Sequence, residues 1–141
     1  MKKVQIIPAG KESIEGYSQI RLEGQNQQFD MSEFSDNSCE SILASDILDV
    51  YSIQNHAPIL QMLTSKLRLG GNVVVGGTSL SAFCRTALTG VLSKDSSSSI
   101  IGRNASMSEA REVSDLLSGL GLKIESVHID GLHFEIKAKR G

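Results

Sequence analysis

The sequence predicts an α/β fold, an open mixed sheet of mainly parallel strands with helices on both faces and an antiparallel hairpin at its end. Three stretches carry that prediction. Cys39 to Ala44 and the valine run Val73 to Val75 are short apolar segments on either side of a stretch with helical periodicity, the pattern of a βαβ unit. Gly70-Gly71 stops the helix and Gly76-Gly77 ends the valine run. Leu122 to His128 and Leu132 to Ala138 alternate with period two around Asp130-Gly131, a strong short-range hairpin signal. An open α/β sheet places its ligand crevice beyond the carboxyl ends of its strands, here near Gly76 to Ser79.

The elements follow in order. Lys3 to Pro8 reads as a short strand, then a polar loop containing Ile14 runs to Gly16-Tyr17. Ser18 to Leu22 is a second strand near a sheet edge, and Gln25 to Asp30 a third, short one. Asp36-Asn37 marks a turn before the central strand Cys39 to Ala44, and Ser45-Asp46 opens a helical turn carrying Ile47, Leu48 and Tyr51. Ile59, Leu60, Leu63 and Leu67 give the segment Ile53 to Leu69 an apolar helical face, with Pro58 expected in the first turn. Thr78-Ser79 caps a second helix, Leu80 to Leu92, and Lys94 to Ser99 reads as a mobile surface loop. Ser106 and Glu109 have the spacing of a capping box at the start of a helix carrying Val113, Leu116, Leu117 and Leu120.

Composition bounds the class. A chain of 141 residues suits a single domain, 1–141, with an aliphatic core, since it has no Trp and few aromatics. A formal charge of -2 gives no broad basic footprint, so nucleic acid is not an expected partner. The basic end, Lys137 to Arg140, reads as a solvated tail. Cys39 and Cys84 lie in apolar surroundings and are expected buried and reduced, without metal-ligand spacing to the three His. No apolar run approaches a membrane span and no signal peptide is evident, so a cytoplasmic setting is expected.

The residues also carry a family resemblance. Asp36-Asn-Ser-Cys-Glu-Ser-Ile-Leu-Ala-Ser-Asp-Ile-Leu-Asp49, a helix, then Leu67-Arg-Leu-Gly-Gly-Asn-Val-Val-Val75 resembles the class I S-adenosylmethionine (SAM)-dependent methyltransferases. Those read D-N-S-F-D-x-I-x-A-S-H-V-L-E-H, a helix, then R-V-L-K-P-G-G-x-L-x-I. The pattern L-N-L-G-x-G-x(5)-G-Y-x-N-V-D of a compact, type-11-like branch lies over Gln5 to Arg21 without gaps. The resemblance implies a Rossmann-like sheet of about seven strands in the order 3-2-1-4-5-7-6, the last strand antiparallel, and SAM as cofactor.

Residue by residue, the resemblance implies a cofactor crevice lined by Gly10, Arg21, Asp30, Ala44 and Asp46. Only Gly10 matches the family's glycine pair, where Pro8-Ala9-Gly10 stands, and Pro8 removes a backbone donor. Arg21 stands where the family has the acid that accepts the ribose hydroxyls, and a guanidinium only donates. Glu23 substitutes if the strand slips, and Arg21 in the crevice requires an anion beside it. Asp30 matches the acid that faces the adenine amine, or caps the turn before Ser32; Asp46 lines the crevice or caps a helix. His56, His128 and His133 read as surface or turn histidines. The implied function is a methyltransferase-like domain whose cofactor motifs are degenerate, a non-catalytic interaction or assembly module with a protein partner or second copy. The alternative is an active SAM-dependent methyltransferase.

Overall fold

The computed structural model describes residues 2–8 and 11–141. Strands β1 (Lys2–Pro8), β2 (Ser18–Leu22), β3 (Cys39–Ala44), β4 (Leu67–Thr78), β5 (Leu122–Asp130) and β6 (His133–Arg140) form one sheet in the order β2-β1-β3-β4-β6-β5. The first four are mutually parallel, and β6 runs antiparallel to both of its neighbours. The sheet therefore has six strands, not seven. The expected third strand is absent because residues 25–30 are held to the loop beyond β3. Asn26 takes φ 53, its N–H donates to Val50 O, and Tyr51 Oη donates to Gln27 O.

The β3 and β4 registers pair Ile42 with Val73 and Ala44 with Val75, which places all four on one face. That face meets α1 (Ile53–Lys66) and α4 (Ala110–Gly119), which also touch each other. Ile59, Leu60, Leu63, Val113 and Leu117 interlock there with Val4, Ile6, Ile136 and Ala138 in one aliphatic core. Fully burying each such side chain contributes roughly 1.5–3 kcal/mol. On the second face a loop also packs against the strands. Loop Lys11–Tyr17 crosses part of it, fastened through Gln5, whose Nε2 donates to Glu12 O at 3.2 Å and whose Oε1 accepts from Ile14 N–H at 2.8 Å.

Several local expectations change under tertiary contact. α1 ends at Lys66, and Arg140 supplies its cap: the guanidinium donates to Leu67 O at 2.6 Å and Thr64 O at 3.2 Å. The basic end is thus a strand and not a tail: Arg140 holds a helix terminus, where a cation is favoured by the helix dipole, while Lys137 and Lys139 stay exposed. Pro58 lies beyond the first turn because the helix already begins at Ile53. Lys94 to Ser99 forms the start of α3 (Lys94–Arg103), since Ser93 Oγ accepts from Ser96 N–H at 3.1 Å and Ile100 is buried. α2 (Leu80–Leu88) stops short of Leu92 at Gly90, which has φ 78. Cys39 is buried but Cys84 is exposed, since α2 buries only Phe83. The hairpin turn is Gly131-Leu132, shifted by one because Asp130 still pairs with His133.

Gly76 is fixed by a close approach. A methyl group there would overlap the carbonyl oxygens of Phe134 and Ser45, both backbone atoms. Gly76→Ala is expected to lower stability by about 2–3 kcal/mol through overpacking, whereas Gly102→Ala, a helical site open to solvent, is expected to be neutral or stabilising. Urea midpoints for the two variants check this; coincident midpoints would refute the close approach.

Candidate functional site

Beyond the carboxyl ends of β1, β2 and β3 lies a crevice of about 380 Å³. Its walls come from Pro8 and Lys11 after β1, Leu22 to Gln25 after β2, the turn after β3, Arg103-Asn104 at the end of α3, and His133 at the start of β6. The turn after β3 is a 3-10 helix, Ile47–Val50. In that geometry side chains three apart eclipse, so Asp46 and Asp49 project to the same side. Both line the crevice.

Asp46 occupies the cap position of this turn, but its side chain makes no cap hydrogen bond. Instead Oδ2 lies 3.1 Å from Lys11 Nζ and Oδ1 lies 3.7 Å from His133 Nδ1. The N-cap alternative is therefore not realised, and the carboxylate joins the loop after β1 to the hairpin. Asp49 is held differently: Oδ1 accepts from Thr78 N–H at 2.7 Å and Oδ2 from Thr78 Oγ1 at 3.0 Å. Asn104 Nδ2 donates to the same hydroxyl at 3.0 Å. Burial pushes the Asp49 carboxyl above the usual carboxylate range, and the charge of Asp46 adds to this against the lowering effect of the Thr78 bonds and His133.

The segment from Arg103 to Glu109 closes one side. Gln25 Nε2 donates to Arg103 O at 2.8 Å, and Ala105 N–H donates to Asp49 O at 2.7 Å. Ser106 is not a helix cap: its hydroxyl lies 2.9 Å from Leu48 O and 2.7 Å from Tyr51 O. His56 is buried, not at the surface, with Nε2 3.1 Å from each of those carbonyls and 3.0 Å from Ser106 Oγ. Glu109, the other half of the expected capping box, serves α2 instead, its carboxylate accepting from Ser81 N–H at 2.7 Å and Ser81 Oγ at 2.9 Å.

Of the residues implied by the resemblance, Asp46 reaches the crevice and Ala44 ends the strand beneath it, fully buried. Arg21 pairs with Ile7 and lines a separate shallow dent at the sheet edge; it is exposed, and no carboxylate among the described residues pairs with it. Asp30 is exposed and accepts from Ser32 N–H and Oγ, both at 2.8 Å. The backbone bond and then the hydroxyl bond hold its carboxyl below the ordinary value. Gly10 lies outside the described residues. Glu23 lines the crevice beyond the end of β2. Sequence reasoning missed Lys11, Asp49, Asn104 and His133; the i, i+3 spacing of the two aspartates was the one signal available.

Two carboxylates and an imidazole, from Asp46, Asp49 and His133, hold donor atoms within 4.8 Å of one another. Lys11 already neutralises Asp46, and both Asp49 oxygens accept from Thr78. A metal ion would have to replace those partners. The crevice is tied within the chain by Lys11–Asp46–His133, Asp49–Thr78–Asn104 and Gln25–Arg103.

Asp49 gives a prediction. Because its folded-state pKa is raised, stability is expected to fall as pH rises from the ordinary value of 3.8 through the raised one. The difference between wild type and Asp49→Asn, followed by urea unfolding across that interval, is expected to show the slope; a pH-independent difference would refute it. Asp49→Ala is expected to cost about 1–3 kcal/mol by leaving the Thr78 donors unmet, and Asp49→Asn less.

No protein-family model matches this chain, and no curated protein does. Solved structures do. A SAM-dependent methyltransferase from Thermotoga maritima matches 89% of this chain and 65% of its own, at 16% identity and a TM-score of 0.59. One from Archaeoglobus fulgidus matches 97% and 86%, at 11% identity and a TM-score of 0.60. The complex of the Haloferax volcanii Trm112 methyltransferase activator with a methyltransferase provides a third, 92% and 63%, at 9% identity and a TM-score of 0.58. The chain thus spans less than two thirds of the Thermotoga and Haloferax chains. At these identities the likeness is one of architecture: the chain has the Rossmann-like fold of the SAM-dependent methyltransferases.

Proposed function

We propose that this methyltransferase-like domain is a non-catalytic interaction or assembly module. The observation that carries this reading is the self-satisfaction of the crevice. Lys11 bonds Asp46 where the loop after β1 would have to leave room for a ligand. Asp49 spends both oxygens on Thr78, and Asn104 closes over the same hydroxyl. A nucleoside cofactor binds where convergent polar groups wait for it, and here most of them have partners inside the chain. As they stand, these residues do not fit SAM. Giving up a hydrogen bond to a charged group also costs about 1.5–3 kcal/mol. The fold serves a partnered protein in the Haloferax complex with an activator, which is compatible with a role in assembly.

One observation favours the active methyltransferase as a second reading. Glu23 projects into the crevice just past β2 and makes no ion pair among the described residues. Its carboxylate has the acceptors that two ribose hydroxyls need.

Titration calorimetry with SAM and with S-adenosylhomocysteine decides between them. The module reading expects no heat and no shift in melting temperature at millimolar ligand. A micromolar Kd, lost in Glu23→Ala, would replace it with the enzyme.

A further inference from the structure

We propose that β5 is a docking edge whose occupant is a second copy of this chain, with the two β5 strands paired antiparallel about a twofold axis at Val127. This names the partner of the module reading above and rests on it. β5 ends the sheet and bonds β6 alone, so its outer N–H and C=O groups are unpaired among the described residues. Such an edge is a template for another strand. Cover on its core face also fades along its length. Val127 and Ile129 pair with Ile136 and Phe134, which puts both on the side that α4 packs against. Leu122 is buried and Ile124 packs on the core, yet Val127 is 46% and Ile129 65% exposed.

The order of residues along β5 says what covers them. Its register on β6 shifts between Ile124 and Ser126, a bulge that leaves Glu125 without a partner of its own. Counting outward from Val127 with that residue set aside, Ser126 matches His128, Ile124 matches Ile129, and Lys123 matches Asp130. Two copies paired at Val127 therefore set isoleucine against isoleucine on the core face and Lys123 against Asp130 on the other, once on each side of the axis. Glu125 falls beside the partner's His128. Lys123, Glu125, His128 and Asp130 are exposed and make no ion pair among the described residues. Within the chain, Lys123 has Lys139 as its cross-strand neighbour. Like charges directly opposite are destabilising, and an acid on the outer side of Lys123 offsets that repulsion. Moving the axis to His128 would set Asp130 against Ser126 and Glu125 and leave Lys123 without an acid. Bulges and lysines guard an edge against added strands; here the twofold matches both, so the edge admits an identical strand and rejects others.

Sedimentation of the full chain from micromolar to millimolar concentration is expected to show a monomer–dimer equilibrium, and Ile129→Lys, at an exposed position, a monomer. K123D and D130K are each expected to weaken self-association about tenfold, because two attractive pairs become repulsive. An equimolar mixture of the two is expected to restore the dimer, since every acid then meets a lysine. Should Asp130→Lys disturb the hairpin turn, Val127→Cys in a Cys84→Ala background decides. Opposed Cα atoms about 4.5–5.5 Å apart suit a disulfide, so oxidation is expected to crosslink Val127→Cys as a dimer and to leave Ile129→Cys, which faces Ile124, single. A monomer at every concentration, a dimer indifferent to Ile129→Lys, or equal crosslinking of the two cysteine variants would each overturn the proposal. So would a mixture no tighter than its components when melting curves show both folded. SAM titration separates the pairing from the reading it rests on. A dimer that binds SAM tightly would sink the non-catalytic role and leave the pairing; a monomer that binds none would sink the pairing alone.

Discussion

The close approach of the turn after β3 to Gly76 and Gly77 of β4 is the constraint on which the rest depends. Gly76 lets Ser45 O and Phe134 O crowd its backbone from either side, and Gly77 leaves room for Leu48 and the Asp49 carboxylate. With side chains at these positions the 3-10 turn would ride higher. Asp49 could then not accept both donors of Thr78. The same packing presents the turn's carbonyls, Leu48 O and Tyr51 O, to the interior, where His56 and Ser106 meet them. Buried carbonyls without such partners would be costly, so the segment after α3 is tied down by the turn it covers.

From that arrangement follows the character of the crevice. Its floor has the place that an open parallel sheet gives a ligand site, past the strand ends. Its polar groups, however, are spent on stitching loops together: the loop after β1 to the turn, the turn to β4, the segment after α3 to the loop after β2. Electrostatics inside a partly buried site are strong in either use. A network that is closed on itself favours rigidity over recognition, and that is the ground for the proposed non-catalytic role.

The sheet is equally asymmetric between its faces. One side carries the contiguous aliphatic core beneath α1 and α4; the other carries a polar row through Ser41, Asn72 and Lys139. Alternation of this kind suits strands with one wet face. In β6 it is complete, since Phe134, Ile136 and Ala138 are buried while Glu135, Lys137 and Lys139 are exposed. In β4 it fails, because the run Val73 to Val75 has no polar member. Val74 puts an apolar side chain on the polar side, where it is itself buried.

The sequence by itself determined the βαβ unit, the terminal hairpin and the parallel order of the central strands. These rest on local periodicity and on glycines whose backbone needs are legible one residue at a time. Family resemblance added the strand order, short of one strand. Only the tertiary structure decided what the polar residues do. Asp46 and Asp30 each had two readings on paper, and Glu109, Arg140 and His56 had one each that proved incomplete. Asp30 turned out to bond its near neighbour Ser32, but the partners of the others, Lys11, Ser81, Thr64, Leu67 and Ser106, come from distant parts of the chain. A long-range hydrogen bond is chosen by which groups the packed chain brings within about 3 Å, and no spacing along the sequence encodes that proximity. Apolar patterning sets the layers because burial is non-directional and additive over area; directional bonds wait for the layers to form.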